Sequence, residues 1–142
     1  MQPPNVRIAE DTLVVHVPDG VLPHLKQSMT VPWYVYDPRT HIAYSHLGGD
    51  SGVVQTLREV DGPPPVAIPR VDLSGAQTQS GIKLGATAAS VVQKLGKPRI
   101  VRACGLERYQ YNDSSDPTAE PNDLMFTIRN GRVIEIFHTV DG

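Results

Sequence analysis

A single cysteine, Cys104, rules out a disulfide within the chain, so no covalent staple can stand in for a core. Aromatic residues are also scarce. One Trp, two Phe and five Tyr serve 142 residues, and the 39% hydrophobic content allows a core but a lean one. No run approaches the ~20 apolar residues of a membrane-spanning helix. The opening residues 1–5, Met-Gln-Pro-Pro-Asn, are too polar to begin a signal peptide. A basic run is missing as well. The 13 Lys and Arg are dispersed among 15 Asp and Glu, for a formal charge of −2. Nucleic-acid binding needs a basic face to neutralise phosphates, so nucleic acid is not an expected partner.

Proline and glycine are plentiful, at 13 and 12, which points to short elements and many turns. The sharpest break is Asp61-Gly62-Pro63-Pro64-Pro65, because consecutive prolines favour an extended, ladder-free conformation. It divides the chain into a hairpin-rich region over 1–60, a proline-rich connector over 61–80, and a helix-plus-sheet module over 81–142. One continuous domain remains the alternative.

In the first region, Leu13-Val14-Val15-His16-Val17 reads as a strand closed by Pro18-Asp19-Gly20. Residues 21–28 have room for a helical turn. Trp33-Tyr34-Val35-Tyr36 and Ile42-Ala43-Tyr44-Ser45-His46-Leu47 flank Asp37-Pro38-Arg39-Thr40, a good type I turn, and so predict a hairpin. Residues 48–52 read as loop, and 53–60 as a third apolar–polar run, helix or strand. Residues 66–79 look extended or irregular.

Residues 81–98 predict a two-turn helix. Thr87 can cap it, Gly96 can end it, and Pro98 cannot continue it. A helix this short needs tertiary support, so Val91, Val92 and Leu95 are expected to bury against strands. Strands follow over 99–103 and 107–111 around Cys104-Gly105. Residues 112–122 form a polar loop. Asn130-Gly131 between two apolar runs is a strong hairpin signal, because both residue types tolerate positive φ. The expected fold class is α+β, a short helix or helices packed on an antiparallel sheet.

The pattern Ile82-x-Leu84-Gly85-x-Thr87, Val91, Leu95-Gly96-Lys97-Pro98, Tyr109-x-Tyr111, Leu124-x-Phe126 and Asn130-Gly131-Arg132-Val133-x-Glu135-Ile136 resembles a known family. It is similar to the small outer-membrane assembly lipoproteins of the SmpA/OmlA type, and to the related modules of β-lactamase inhibitor proteins. The likeness covers residues 81–138, somewhat under half of the chain. It implies a helical layer on an antiparallel sheet, in an exported bacterial protein, periplasmic or secreted, that binds macromolecules and does not catalyse. Composition alone is equally compatible with the cytoplasm. Two departures stand out. Those lipoproteins carry a lipid-bearing cysteine near the mature N-terminus, which Cys104 is not, and they usually show two consecutive helices where one is plain here.

Candidate chemistry is thin. His16, His24, His41, His46 and His138 lack the short-spaced pairs of a zinc site, and His41 and His46 fall on opposite faces of one strand. No metal or cofactor is expected. Cys104 lies between Arg102 and Arg108, which would favour a thiolate, but a buried, inert thiol is the expectation. The acidic stretch 112–123 lacks the residue order of a calcium loop. Gly48-Gly49-Asp50-Ser51-Gly52 is neither a nucleophile turn nor a phosphate loop.

The aromatics offer more. Trp33, Tyr34, Tyr36 and Tyr44 lie on one expected hairpin, and Glu107, Tyr109 and Tyr111 share a face of another strand. Core or cross-strand support is the first reading for most of them. If a face is exposed, Trp33, Tyr34 and Tyr36, or Glu107, Tyr109 and Tyr111, are where a ligand or protein partner would bind. The leading expectation is therefore a non-enzymatic envelope binding module whose partner is a protein or an envelope component. One alternative is a small hydrolase or lyase using His41 or His46 with Asp37 or Asp50 as an acid–base pair. Another is a proteinaceous enzyme inhibitor.

Overall fold

A computed structural model describes residues 13–15, 33–49, 52–61, 70–112 and 123–141. It is largely antiparallel sheet, with one short helix among the described residues. Strands β2 (Trp33–Asp37), β3 (Ile42–Gly49), β4 (Gly52–Glu59), β6 (Arg99–Ala103), β7 (Leu106–Asn112), β8 (Asp123–Arg129) and β9 (Arg132–Asp141) form a seven-stranded sheet in the order β2-β3-β4-β9-β8-β7-β6. A second, two-stranded ladder joins β1 (Leu13–Val14) to β5 (Gln77–Thr78). The helix α1 spans Ala88–Leu95.

β4 pairs with β9, so strands from both sides of the proline break share one sheet. The run at 53–60 is a strand. Of the glycine-rich stretch expected as loop, Gly48 and Gly49 end β3, and Gly52 begins β4. The last two residues of the strand predicted over 13–17, the turn at 18–20, the helical turn at 21–28 and all of the polar loop beyond Asn112, which ends β7, lie outside the described residues.

Two tight turns carry the C-terminal meander. Asn130 and Gly131 have φ of 53° and 77°, and Cys104 and Gly105 have 54° and 77°. Paired positive φ values match the right-handed twist of the flanking strands, which ordinary turns would splay. A bulge follows the first of these turns. Thr127 faces Glu135 and Ile128 faces Val133, which leaves Ile134 as the extra residue on β9. The bulge lets Val133 and Ile136, three apart, both point to the core, and both are fully buried.

The core sits on one face of the sheet. A cross-strand row runs Val35–Tyr44–Leu57–Ile136–Phe126–Tyr109, all buried. The helix closes part of that face through Val91 and Leu95. Val92 is instead 39% exposed, because one narrow stripe is all that a two-turn helix can bury.

Both helix ends are fixed by polar contacts. Thr87 Oγ1 accepts from Ser90 N at 3.2 Å, and Gly96 N donates to Val92 O at 2.8 Å. The N-terminal end is stitched to β9 by Gly85 N to Val133 O (2.7 Å), Val133 N to Ala86 O (2.8 Å) and Ala88 N to Gly131 O (2.9 Å). At the other end, the Tyr111 hydroxyl donates to Gly96 O at 2.8 Å.

The stretch expected as a connector does more than connect. Val71, Leu73, Ala76 and Thr78 are buried, and β5 lies within it. Asp37 holds this segment against the sheet. Its Oδ2 accepts from Leu73 N at 2.8 Å, while Oδ1 accepts from Arg39 N at 2.8 Å.

Candidate functional site

The aromatics singled out as a binding face are mostly structural. Tyr36 is 3% exposed, Tyr109 9% and Tyr111 5%. Tyr109 and Tyr111 turn toward the core, where Tyr111 meets Phe126 edge-to-face at 6.1 Å and its burial raises the phenol pKa. A chain with few large apolar residues has to spend its aromatics on the interior. Trp33 and Tyr34 lie in β2, and their side chains are outside what the structure describes. Glu107 stays near the surface, and its Oε2 accepts from Arg102 Nε at 3.0 Å.

The acid–base pair of the hydrolase alternative is not assembled around Asp37. Burial would raise that carboxyl, but the N–H groups of Leu73, Arg39 and Thr40 more than offset it and hold the pKa below the usual range. Its acceptor capacity is spent on backbone. His41 is exposed in the turn, at φ 59°. His46 lies four residues along β3 from Ile42, the residue that faces Asp37, which is about 13 Å at strand rise. Asp50 lies outside the described residues.

Cys104, expected to be buried, is exposed at the tip of the β6–β7 turn. A left-handed position at a two-residue turn leaves no room to tuck the side chain inward.

One polar feature of the core was not legible in the sequence. His46, Gln55 and His138 stand in one cross-strand row on the core face, on three adjacent strands. His138 is fully buried, the Tyr44 hydroxyl donates to Gln55 Oε1, and burial lowers the pKa of His46. Among the described residues, no three metal-ligating side chains converge.

The opposite, outer face of the sheet is the other product of strand alternation. One cross-strand row runs Val101–Arg108–Thr127–Glu135–Arg58–Ala43, with one residue from each of six strands. Two hollows lie along it. One, of about 360 Å³, is lined by Ala43, Tyr44, Ser45, Thr56, Arg58, Glu135 and Phe137. The other, of about 260 Å³, is lined by Val101, Ala103, Cys104, Leu106, Glu107, Arg108 and Thr127.

The electrostatics of this row are one-sided. Glu135 faces Arg58 across the strands, yet its Oε1 accepts from Thr127 Oγ1 at 3.0 Å, on the other side. Among the described residues, the ion pairs within 4.0 Å are Arg102–Glu107 and Arg129–Glu59. Arg58, Arg99 and Arg108 are exposed and belong to neither. The outer face therefore offers guanidinium groups beside small apolar hollows, an arrangement suited to binding carboxylates with flanking apolar groups.

Compared with protein-family models, curated proteins and solved structures, the chain matches none of them. No helix among the described residues is long and apolar enough to cross a membrane.

Proposed function

We propose that the chain is a non-enzymatic binding module of the bacterial cell envelope, periplasmic or secreted, whose outer sheet face engages an acidic surface of a protein partner. In this reading the architecture is α+β. The helix backs the sheet from the core side and leaves the other side for the partner.

The observation that carries the reading is the difference between the two faces. α1 and the buried stretch around Val71, Leu73 and Ile82 pack on one, while the other bears both hollows along the Arg108–Thr127–Glu135–Arg58 row. Guanidiniums there that make no ion pair among the described residues favour a carboxylate-bearing partner, since opposite potentials steer encounter and fix register. The envelope assignment rests on the resemblance of residues 81–138 to the assembly lipoproteins.

The test is capture from bacterial envelope extract by the immobilised protein and by an Arg58→Glu/Arg108→Glu variant. Both substitutions are on exposed sites, so the variant keeps the wild-type circular dichroism. A discrete protein retained by the wild type and lost by the variant supports the reading. Equal retention by both, or turnover of a substrate by the pure protein with nothing retained, sinks it.

A further inference from the structure

The two edges of the seven-stranded sheet are not alike. At β2 the chain folds back on itself: Tyr36 forms a parallel bridge with Arg70, and Tyr36 O accepts from Val71 N at 2.9 Å. At the other end, β6 pairs with β7 alone among the described strands, and all five of its residues are exposed. Ile100 is 38% exposed and Val101 41%. An edge of this kind is a template for another strand unless something blocks it.

The turn fixes which groups of β6 are on offer. Ala103 and Leu106 flank the two-residue turn and so exchange both backbone hydrogen bonds. Pairs alternate from there, which makes Val101–Arg108 and Arg99–Gln110 the bonded pairs. Ile100 and Arg102 then turn their N–H and C=O groups outward, to the open edge. On the side-chain level, Arg99, Val101 and Ala103 point to the outer face, while Ile100 and Arg102 point to the core side.

Resting on the binding reading above, the geometry points to β6 as the docking edge for an extended acidic peptide segment, which adds antiparallel to Arg99–Ala103 as an eighth strand. Carboxylates three positions apart in that segment meet Arg99 on one face and Arg102 on the other, and β-branched residues between them cover Ile100 and Val101. Arg102 uses only its Nε on Glu107, which leaves its other donors for a second carboxylate. The hollow of about 260 Å³ beside Val101 and Arg108 takes an apolar side chain of the added strand.

A second copy of this chain fits the edge poorly. Antiparallel pairing about Val101 would bring two copies each of Lys97, Arg99 and Arg102 onto one short ribbon, against only Glu107 from each copy.

The experiment is fluorescence anisotropy with the full chain and a fluorescein-labelled peptide of β-branched residues carrying glutamates three positions apart. Saturable binding is expected. Replacing the glutamates by glutamine, or Arg99→Glu in the protein, should weaken it by roughly tenfold or more. Ile100→Pro removes an outward N–H and no β6–β7 hydrogen bond, and should weaken binding to a similar degree. N-methylating alternate residues of the peptide should do the same without touching the protein, so the result stands even if the proline variant folds poorly. Arg58→Glu, four strands away, should leave peptide binding unchanged.

Several results overturn the inference: no peptide binding by the wild type, binding that tolerates both Ile100→Pro and N-methylation, a wild-type dimer in sedimentation velocity that Ile100→Pro dissolves, or equal sedimentation of wild type and Ile100→Pro with phosphatidylglycerol vesicles in place of the peptide. Capture that depends on Arg58 and Arg108 can persist through any of these, so failure at the edge is distinguishable from failure of the binding reading.

Discussion

Asp37 offers the most direct way to test how the segment over 70–82 is held. Its buried carboxylate takes N–H groups from Arg39 at 2.8 Å and Thr40 at 3.4 Å within the turn, and from Leu73 at 2.8 Å, a residue 36 positions away. In Asp37→Ala, water can replace the carboxylate at Arg39 and Thr40, which are exposed, so those two losses are small. Leu73 is 2% exposed, and its orphaned N–H has no such recourse. A buried donor left unpaired costs about 1–3 kcal/mol, and the turn adds about 1 kcal/mol, for a total of about 2–4 kcal/mol. That is a large share of the ~5–15 kcal/mol available to a domain. Asp37→Asn keeps one acceptor but loses the charge, and should cost about half as much. Urea denaturation followed by fluorescence of the single tryptophan measures all three proteins. The sign of the pH dependence follows from the lowered pKa. The carboxylate's contribution is full above the usual value of 3.8 and is lost as pH falls through the lower folded value, so the gap between wild type and Asp37→Ala should narrow in acid. A cost under about 1 kcal/mol for Asp37→Ala, or equal costs for Ala and Asn, would refute the reasoning.

Three further outcomes are expected. Phe126→Ala removes a fully buried ring from the middle of the core row and should cost about 3–5 kcal/mol in the same denaturation assay. Tyr111→Phe keeps the ring packing and loses only the hydroxyl's bond to Gly96 O, so it should cost about 1 kcal/mol and loosen the C-terminal end of α1 in amide hydrogen exchange. Burial lowers the pKa of His46, so below about 6.5 the unfolded chain binds a proton that the folded chain resists, and stability should fall as the pH drops. Urea midpoints at pH 7.5 and 5.5 should therefore differ less in His46→Gln than in the wild type.

Local chemistry was legible in the sequence, and assembly much less so. The turn at Asn130-Gly131 and the capped helix from Thr87 to Gly96 follow from backbone preferences of a few adjacent residues, which nothing elsewhere in the chain overrides. The pairing of β4 with β9 joins residues some eighty positions apart, and no local pattern encodes it. Residues 70–80 read only as extended or irregular because they pack as a strap: burial alternates at Val71 and Leu73, and the segment is held by Asp37 and by the two-residue pairing of β5 with β1, partners distant in the chain. The outer-face row was hidden for a related reason. Strand alternation assigns Arg58, Arg108, Thr127 and Glu135 each to a face, but only the register makes them neighbours. The same holds for His46, Gln55 and His138.

Burial of the aromatics bears on how the outer face can work. With Tyr36, Tyr44, Tyr109, Tyr111 and Phe126 all buried, the apolar groups left on the outer side among the described residues are small or half-covered, such as Ala43, Phe137 and Val101. A surface of these described residues draws little on large exposed aromatic anchors for affinity. It can rely on charge, through Arg58, Arg99 and Arg108, and on backbone groups, through the open edge of β6. Charge gives speed and partner choice but weakens with salt. Main-chain pairing is indifferent to salt and to most of the partner's sequence, and demands only an extended segment. In the proposed reading the two are complementary: the arginines would select an acidic partner, and the edge would hold whichever part of it is extended enough to pair.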